Sequence, residues 1–252
     1  MNFSSLYKQE WIKLQSTRSL IFLFACLAVN VGISLLTFGI LHLPPDEGKL
    51  TEEMVVNMNP FGVLMAGFSG TLAMIASLFF IMQYGDEYKY GLIRKNIIDG
   101  MGRRDIFNGK MLFLFGSYLM WTLLFMVVFL ICGAIKLKGD FGFLLNSIQP
   151  EQIVKYYLHV IFYGAFAFFL VSLTRSATVS IIIFLGMQVV EQLAKPALMY
   201  FELPKVVPYL PIELATTIRA SDIIETGQLI AYLVYLGALI GTGQLAIYKR
   251  DL

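Results

Sequence analysis

Long apolar runs separated by short polar connections restrict this chain more than any other feature. Runs near residues 20–41, 61–83, 111–135, 151–173, 177–198 and 229–248 each hold 20 to 25 residues with few charges. About 20 apolar residues suffice to cross the hydrocarbon core of a bilayer as a helix. Inside lipid the backbone has to satisfy its own hydrogen bonds, so runs of this length imply helices rather than open strands. A chain of 252 residues that is 58% hydrophobic and 14% charged has too much apolar surface to hide in a soluble core. The expectation is an all-α, polytopic membrane protein: one transmembrane domain of six spanning helices over residues 1–252. The first apolar run is too long for a signal peptide and lacks a small-residue cleavage site, so no cleaved leader is expected.

Basic residues orient the path. The connection at 43–60 carries Asp46, Glu47, Glu52 and Glu53 against Lys49, and reads as outside. With that choice, Lys8, Lys13, Arg18, six basic residues of the 84–110 connection, Arg175, Lys249 and Arg250 place twelve cations inside. Seven fall outside: Lys49, Lys136, Lys138, Lys155, Lys195, Lys205 and Arg219. Cytoplasmic termini in a plasma (inner) membrane, of bacterial type, follow from this bias.

Ahead of the first span, residues 2–17 place Phe3, Leu6, Tyr7, Trp11 and Leu14 on one helical face opposite Lys8, Gln9 and Lys13. This suits a helix lying at the headgroups, the alternative being a plain polar leader. Asn30 sits near the middle of the first span; a buried asparagine bonds a neighbouring helix or lines a pathway. In the second span Ala66-x-x-x-Gly70, and in the last Gly237-x-x-x-Gly241, allow close helix approach. Cys26 and Cys132 both lie in apolar runs, with neither disulfide nor metal site implied. His159 lacks companion ligands and reads as a hydrogen-bonded packing residue.

Gln188, Glu191 and Gln192 mark the outer half of the fifth span. An acid at membrane depth is costly and is a functional candidate by default. Two readings of Glu191 stand: pathway lining with Asn30 and Gln188, or the outer interface in an i, i+4 pair with Lys195. The stretch 196–228 is too long and apolar for a simple loop; it contains Pro196, Pro204, Pro208 and Pro211, and Pro208-Tyr-Leu-Pro211 breaks any helix crossing it. Short helices dipping into the outer leaflet are expected there.

The connection at 84–110 is the most distinctive polar stretch. It holds Lys89, Arg94, Lys95, Arg103, Arg104 and Lys110 against Asp86, Glu87, Asp99 and Asp105. Tyr90, Ile93, Ile97 and Met101 repeat as one face of an amphipathic helix. Asp99-Gly100-Met101-Gly102 then ends it, because glycine accepts bends that a side chain forbids. Either the stretch is a solvated loop that fixes topology, or it is offered to a soluble partner.

Glu87-x-x-x-Gly91, Gly100-x-x-Arg103 and Lys110 at the start of the next apolar run resemble the coupling segment of the permeases of type-2 ABC exporters. The number and spacing of the spans extend the resemblance over the whole chain. Family members often carry proline where this chain has Gly102. The resemblance implies an amphipathic elbow helix at 2–17, a cytoplasmic coupling helix, and an outer re-entrant segment before the last span. It implies that Glu87, Gly91, Arg94, Arg103, Arg104 and Lys110 form the interface with a separate ATPase subunit, with a close approach at Gly91. It further implies a pathway formed by two copies, or by one copy and a related permease.

No Gly-x-x-x-x-Gly-Lys-Ser/Thr loop occurs, and no catalytic triad or metal-ligand cluster can be assembled from the sequence. The expectation is a permease without an ATPase site, metal or cofactor of its own; ATP and Mg²⁺ would belong to the partner subunit. Besides that subunit and a second permease, membrane lipids are the expected partners, and nucleic acid is not. Apolar, aromatic spans favour a hydrophobic or amphiphilic cargo such as a drug, peptide or lipid. The competing classes are a secondary transporter, which wants midplane charges and repeated broken helices, and a membrane scaffold.

Overall fold

The structure, a computed structural model, describes residues 28–32, 35, 69–136, 150–221 and 224–249. The expected elbow helix, Cys26, Ala66 and the connections at 43–60 and 137–149 lie outside them. Every regular element among the described residues is helical. In chain order these are α1 (Ser69–Lys89), α2 (Leu92–Ile98), α3 (Arg103–Lys136), α4 (Pro150–Thr174) and α5 (Ala177–Tyr200). A short 3₁₀ turn (Pro204–Tyr209), α6 (Pro211–Ala220) and α7 (Thr226–Lys249) follow. Helices α3, α4, α5 and α7 are long and apolar enough to cross a membrane. Helix α1 carries the C-terminal part of the second expected span, and the helical residues 28–32 and 35 fall in the first.

Helix α4 is the axis of the fold: α1, α3, α5, α6 and α7 all pack on it. In lipid, apolar burial gives little net drive, so association depends on close packing and polar bonds between helices. Phe168 on α4 shows the packing. Its ring stacks on Tyr84 of α1 at 5.7 Å and 9°, meets Phe107 of α3 edge-on at 6.1 Å, and fills the space left by Gly243 of α7. A Cβ at Gly243 would lie 2.5 Å from that ring, and one at Gly164 would lie 2.4 Å from Tyr118. These glycines carry the close approaches. Gly237 and Gly241, expected to do so, face open space. Polar bonds add to this: Ser77 and Tyr118 share a hydrogen bond of 3.0 Å, and the Tyr232 hydroxyl donates to the Leu158 carbonyl at 2.7 Å.

Two boundaries differ from expectation. Helix α3 begins at Arg103 rather than near 111, because its first turns are polar and leave the apolar zone without ceasing to be helical. Helix α5 runs through Pro196 to Tyr200; Pro196 lacks only its own N–H, one lost bond in a helix that continues beyond it.

Candidate functional site

Two clusters of buried charge lie at opposite ends of the helix assembly. At the end that carries α2, the last turn of α1 presents Glu87, 4% exposed, to Lys110 of α3, 2% exposed, and the two form a buried ion pair. The Lys110 ammonium also lies 5.1 Å from the centre of the Tyr84 ring. Tyr84 in turn shares hydrogen bonds with Tyr88 (3.2 Å) and Ser172 of α4 (3.4 Å). A charge in this surrounding is tolerable only while its partner stays in place. The pair therefore ties the two ends of the 84–110 connection to each other.

Between these ties the backbone turns twice on glycine. Gly91, at φ +64°, separates α1 from α2. Gly100, at φ +94°, closes α2: its N–H reaches the Ile97 carbonyl and the Met101 N–H reaches that of Asn96. That is the paired-bond helix ending that calls for glycine in the left-handed region. Within the chain Gly91 has open space where a side chain would sit, so what this chain itself asks of it is the backbone angle. The close approach falls at Gly85, where a Cβ would lie 2.6 Å from the Ala177 Cβ and 2.8 Å from its Cα.

Ile93 is buried, and Ile97 and Met101 pack against the core as the periodicity predicts. Tyr90, expected on the same face, is 59% exposed, because the left-handed turn at Gly91 takes it off the helix axis. Ile98 is 77% exposed. Arg94 and Lys95 on the same helix are exposed, as is Arg104 at the start of α3. Arg103 turns the other way and donates to the carbonyls of Tyr248 and, at 3.5 Å, Ile247. A cation there suits the negative end of α7 and satisfies carbonyls the helix leaves open. Of the six residues expected at an interface, Gly91, Arg94 and Arg104 are on the surface, whereas Glu87, Lys110 and Arg103 hold the segment to the helices behind it.

At the far end, Glu191 is 5% exposed and does not form the expected pair with Lys195. Its carboxylate accepts from the N–H groups of Ile212 (2.9 and 3.1 Å) and Glu213 (3.0 Å), the first free donors of α6. Lys195 pairs with Glu213 instead. At the other end of α6, the Lys155 ammonium, ion-paired with Glu151, donates to the Ser221 carbonyl at 2.9 Å. Between them His159, fully buried, bonds through Nδ1 to the Ala215 carbonyl at 2.9 Å. Because that acceptor is a carbonyl, Nδ1 carries the proton. Helix α6 thus has an acid at its positive end and a base at its negative end, both lent by other helices.

Asn30 is buried and lines a cleft with Leu72, Ala76, Trp121 and Tyr156. Gln188 is half-buried on α5, one turn before Glu191. The structure does not bring Asn30 together with Glu191 and Gln188 in a common site: Asn30 belongs to the cleft by α1 and α3, Glu191 to α6. Tyr84, Gly85, Ser172 and Lys155 were not singled out from the sequence. Lys155 alone had a local signal, Glu151 one turn before it.

Comparison with known proteins adds no identity: no family model matches the chain, and no curated protein matches it.

Proposed function

We propose that this chain is the membrane subunit of an ATP-driven exporter of the type-2 ABC kind. Two copies, or one copy and a related permease, form the pathway, and separate ATPase subunits bind ATP and Mg²⁺ and dock on the 84–110 segment at the cytoplasmic face. One observation carries this reading. Ile98 stands exposed with Arg94 and Lys95 on a seven-residue helix, Tyr90 and Arg104 are exposed in the segments flanking it, and the buried Glu87–Lys110 pair pins both ends of the connection. Exposed apolar groups ringed by charge mark protein contact surfaces, and a rigid base lets a push on that surface move the helices behind it. The apolar, aromatic spans favour a hydrophobic or amphiphilic cargo.

Purification of the chain from its own membranes in mild detergent tests the reading. A subunit that hydrolyses Mg-ATP should co-elute, and Ile98→Ser combined with Arg94→Glu should release it while leaving the thermal unfolding of the chain unchanged. Transport by the chain alone, driven by an ion gradient in liposomes, would replace this reading with secondary transport.

A further inference from the structure

Helix α5 is the least enclosed of the long helices that touch both charged clusters. Ile182, Val189, Val190 and Leu193 face outward, and only Ser180, Phe184 and Glu191 are buried. Those three, with Ala177, with Ile181 packed against the core and with Lys195 ion-paired to Glu213 of α6, attach it to the rest of the chain. At the α2 end, Gly85 meets Ala177 at backbone distance, and a Cβ there would also lie 2.8 Å from the Ala177 nitrogen. The turn leading into α5 is stiff. Arg175 is held at φ +56°, Ser176 caps the helix by accepting from the Val179 N–H, and Thr174 and Ser180 share a 2.7 Å hydrogen bond. In the middle, Phe184 sits 5.6 Å from Phe166 and 6.0 Å from Tyr163 on α4. At the far end Glu191 grips the first turn of α6. Ala177 and Glu191 are about 21 Å apart along an unbroken helix, and Pro196 lies beyond both of them.

We propose that α5 is a connecting rod: displacement of the last turn of α1 at Gly85 is delivered through it to the first turn of α6. The contacts at the two ends differ in kind, which gives the rod its use. Gly85 against Ala177 is steric and transmits a push. The Glu191 carboxylate on two N–H groups is directional and transmits a pull. Phe184, seated between aromatic rings, is the only buried large side chain between them and leaves the helix free to rock. The docking role of 84–110 would supply the force, so the biological use of the rod rests on that reading; the mechanical linkage does not.

Amide hydrogen exchange of the full chain in lipid nanodiscs tests the linkage in both directions. Gly85→Ala should speed exchange of the Ile212 and Glu213 amides at least about fivefold, the lower end of typical coupling between sites. Adding Ala177→Gly, which removes the nearest clashing atom, should restore part of the protection. Coupling is reciprocal, so Glu191→Gln, a near-isosteric change safe for folding, should speed exchange at 85–92. The rod is overturned if Gly85→Ala acts only on amides near 84–92 and 172–180, or if Glu191→Gln leaves 85–92 unchanged. A rise shared equally by α3 at 120–130 means general loosening and also counts against it. Flat exchange in both variants would sink the rod and leave ATPase docking standing; loss of docking with linked exchange would do the reverse.

Discussion

The two ends of this molecule bury charge in opposite ways. At the α2 end a carboxylate meets an ammonium, Glu87 on Lys110, and each side chain is the other's principal partner. At the far end the carboxylate of Glu191 bonds main-chain N–H groups at one end of α6, and the ammonium of Lys155, while paired with Glu151, bonds a main-chain carbonyl at the other. The first arrangement fixes two points of the chain to each other and leaves the segment between them to face outward. The second fixes a whole helix, because the ends of α6 carry partial charges that extend along its axis. A side-chain pair is a pin; a pair of capped ends is a cradle.

The pin should be the more fragile. Glu87→Ala removes the carboxylate that meets the buried Lys110 ammonium and should cost about 3–5 kcal/mol, read as a lower midpoint of heat unfolding in detergent. Glu87→Gln with Lys110→Met, which removes both charges at similar volume, should recover most of the loss. If the single and double variants lose stability equally, the pair is not a pin.

The cradle should yield less. Glu191→Gln keeps an acceptor on the first turn of α6 and loses the charge, and helix-capping changes cost about 0.5–2 kcal/mol. Proteolysis within 201–221 should accelerate while α3 and α4 stay protected. Uniform cleavage across the chain would mean that Glu191 supports the entire fold and not α6.

Gly91→Ala should cost about 1 kcal/mol, because it forces a Cβ into the left-handed region with no collision to add. A much larger loss in the same unfolding measurement would show that the turn is held by more than its own backbone. Smallest of all, Arg94→Ala and Ile98→Ser should leave stability within about 0.5 kcal/mol, as exposed positions generally do. Their effect should appear only when a partner is bound, as a faster dissociation rate.

Four of the six expected spans were legible, as α3, α4, α5 and α7, because length and apolar content alone define them, whatever face each helix turns inward. Their ends were not. Arg103, Arg104 and Asp105 extend α3 through residues that hydropathy reads as connection. Turn chemistry was legible at Gly100, where glycine carries the signal in its own identity, whereas the positive φ at Gly91 was not read from the sequence, where the motif drew attention to a partner instead. Glu191 marked itself as unusual by being an acid in an apolar run, but its partners are the N–H groups of Ile212 and Glu213, which any non-proline residue would supply. Nothing in the identity of a residue announces that kind of contact, and the i, i+4 lysine was the more visible and mistaken choice. The pairing of Glu87 with Lys110 lay inside the family-like motif, yet the motif assigns both to a partner's surface and the folded chain turns them toward each other.

The central position of α4 has a consequence for the order of assembly in time. His159 finds its carbonyl 56 residues further along the chain, Lys155 finds one 66 residues on, and the Leu158 carbonyl waits for a hydroxyl 74 residues away. At a synthesis rate of 5–20 residues per second, these long-range contacts wait roughly 3–15 s for their second member, with Glu151 beside Lys155 in the meantime. During that interval α4 is the helix least suited to lie alone in lipid, and a sheltered stay beside the insertion machinery, ended by the arrival of α6 and α7, is the order of events its contacts demand.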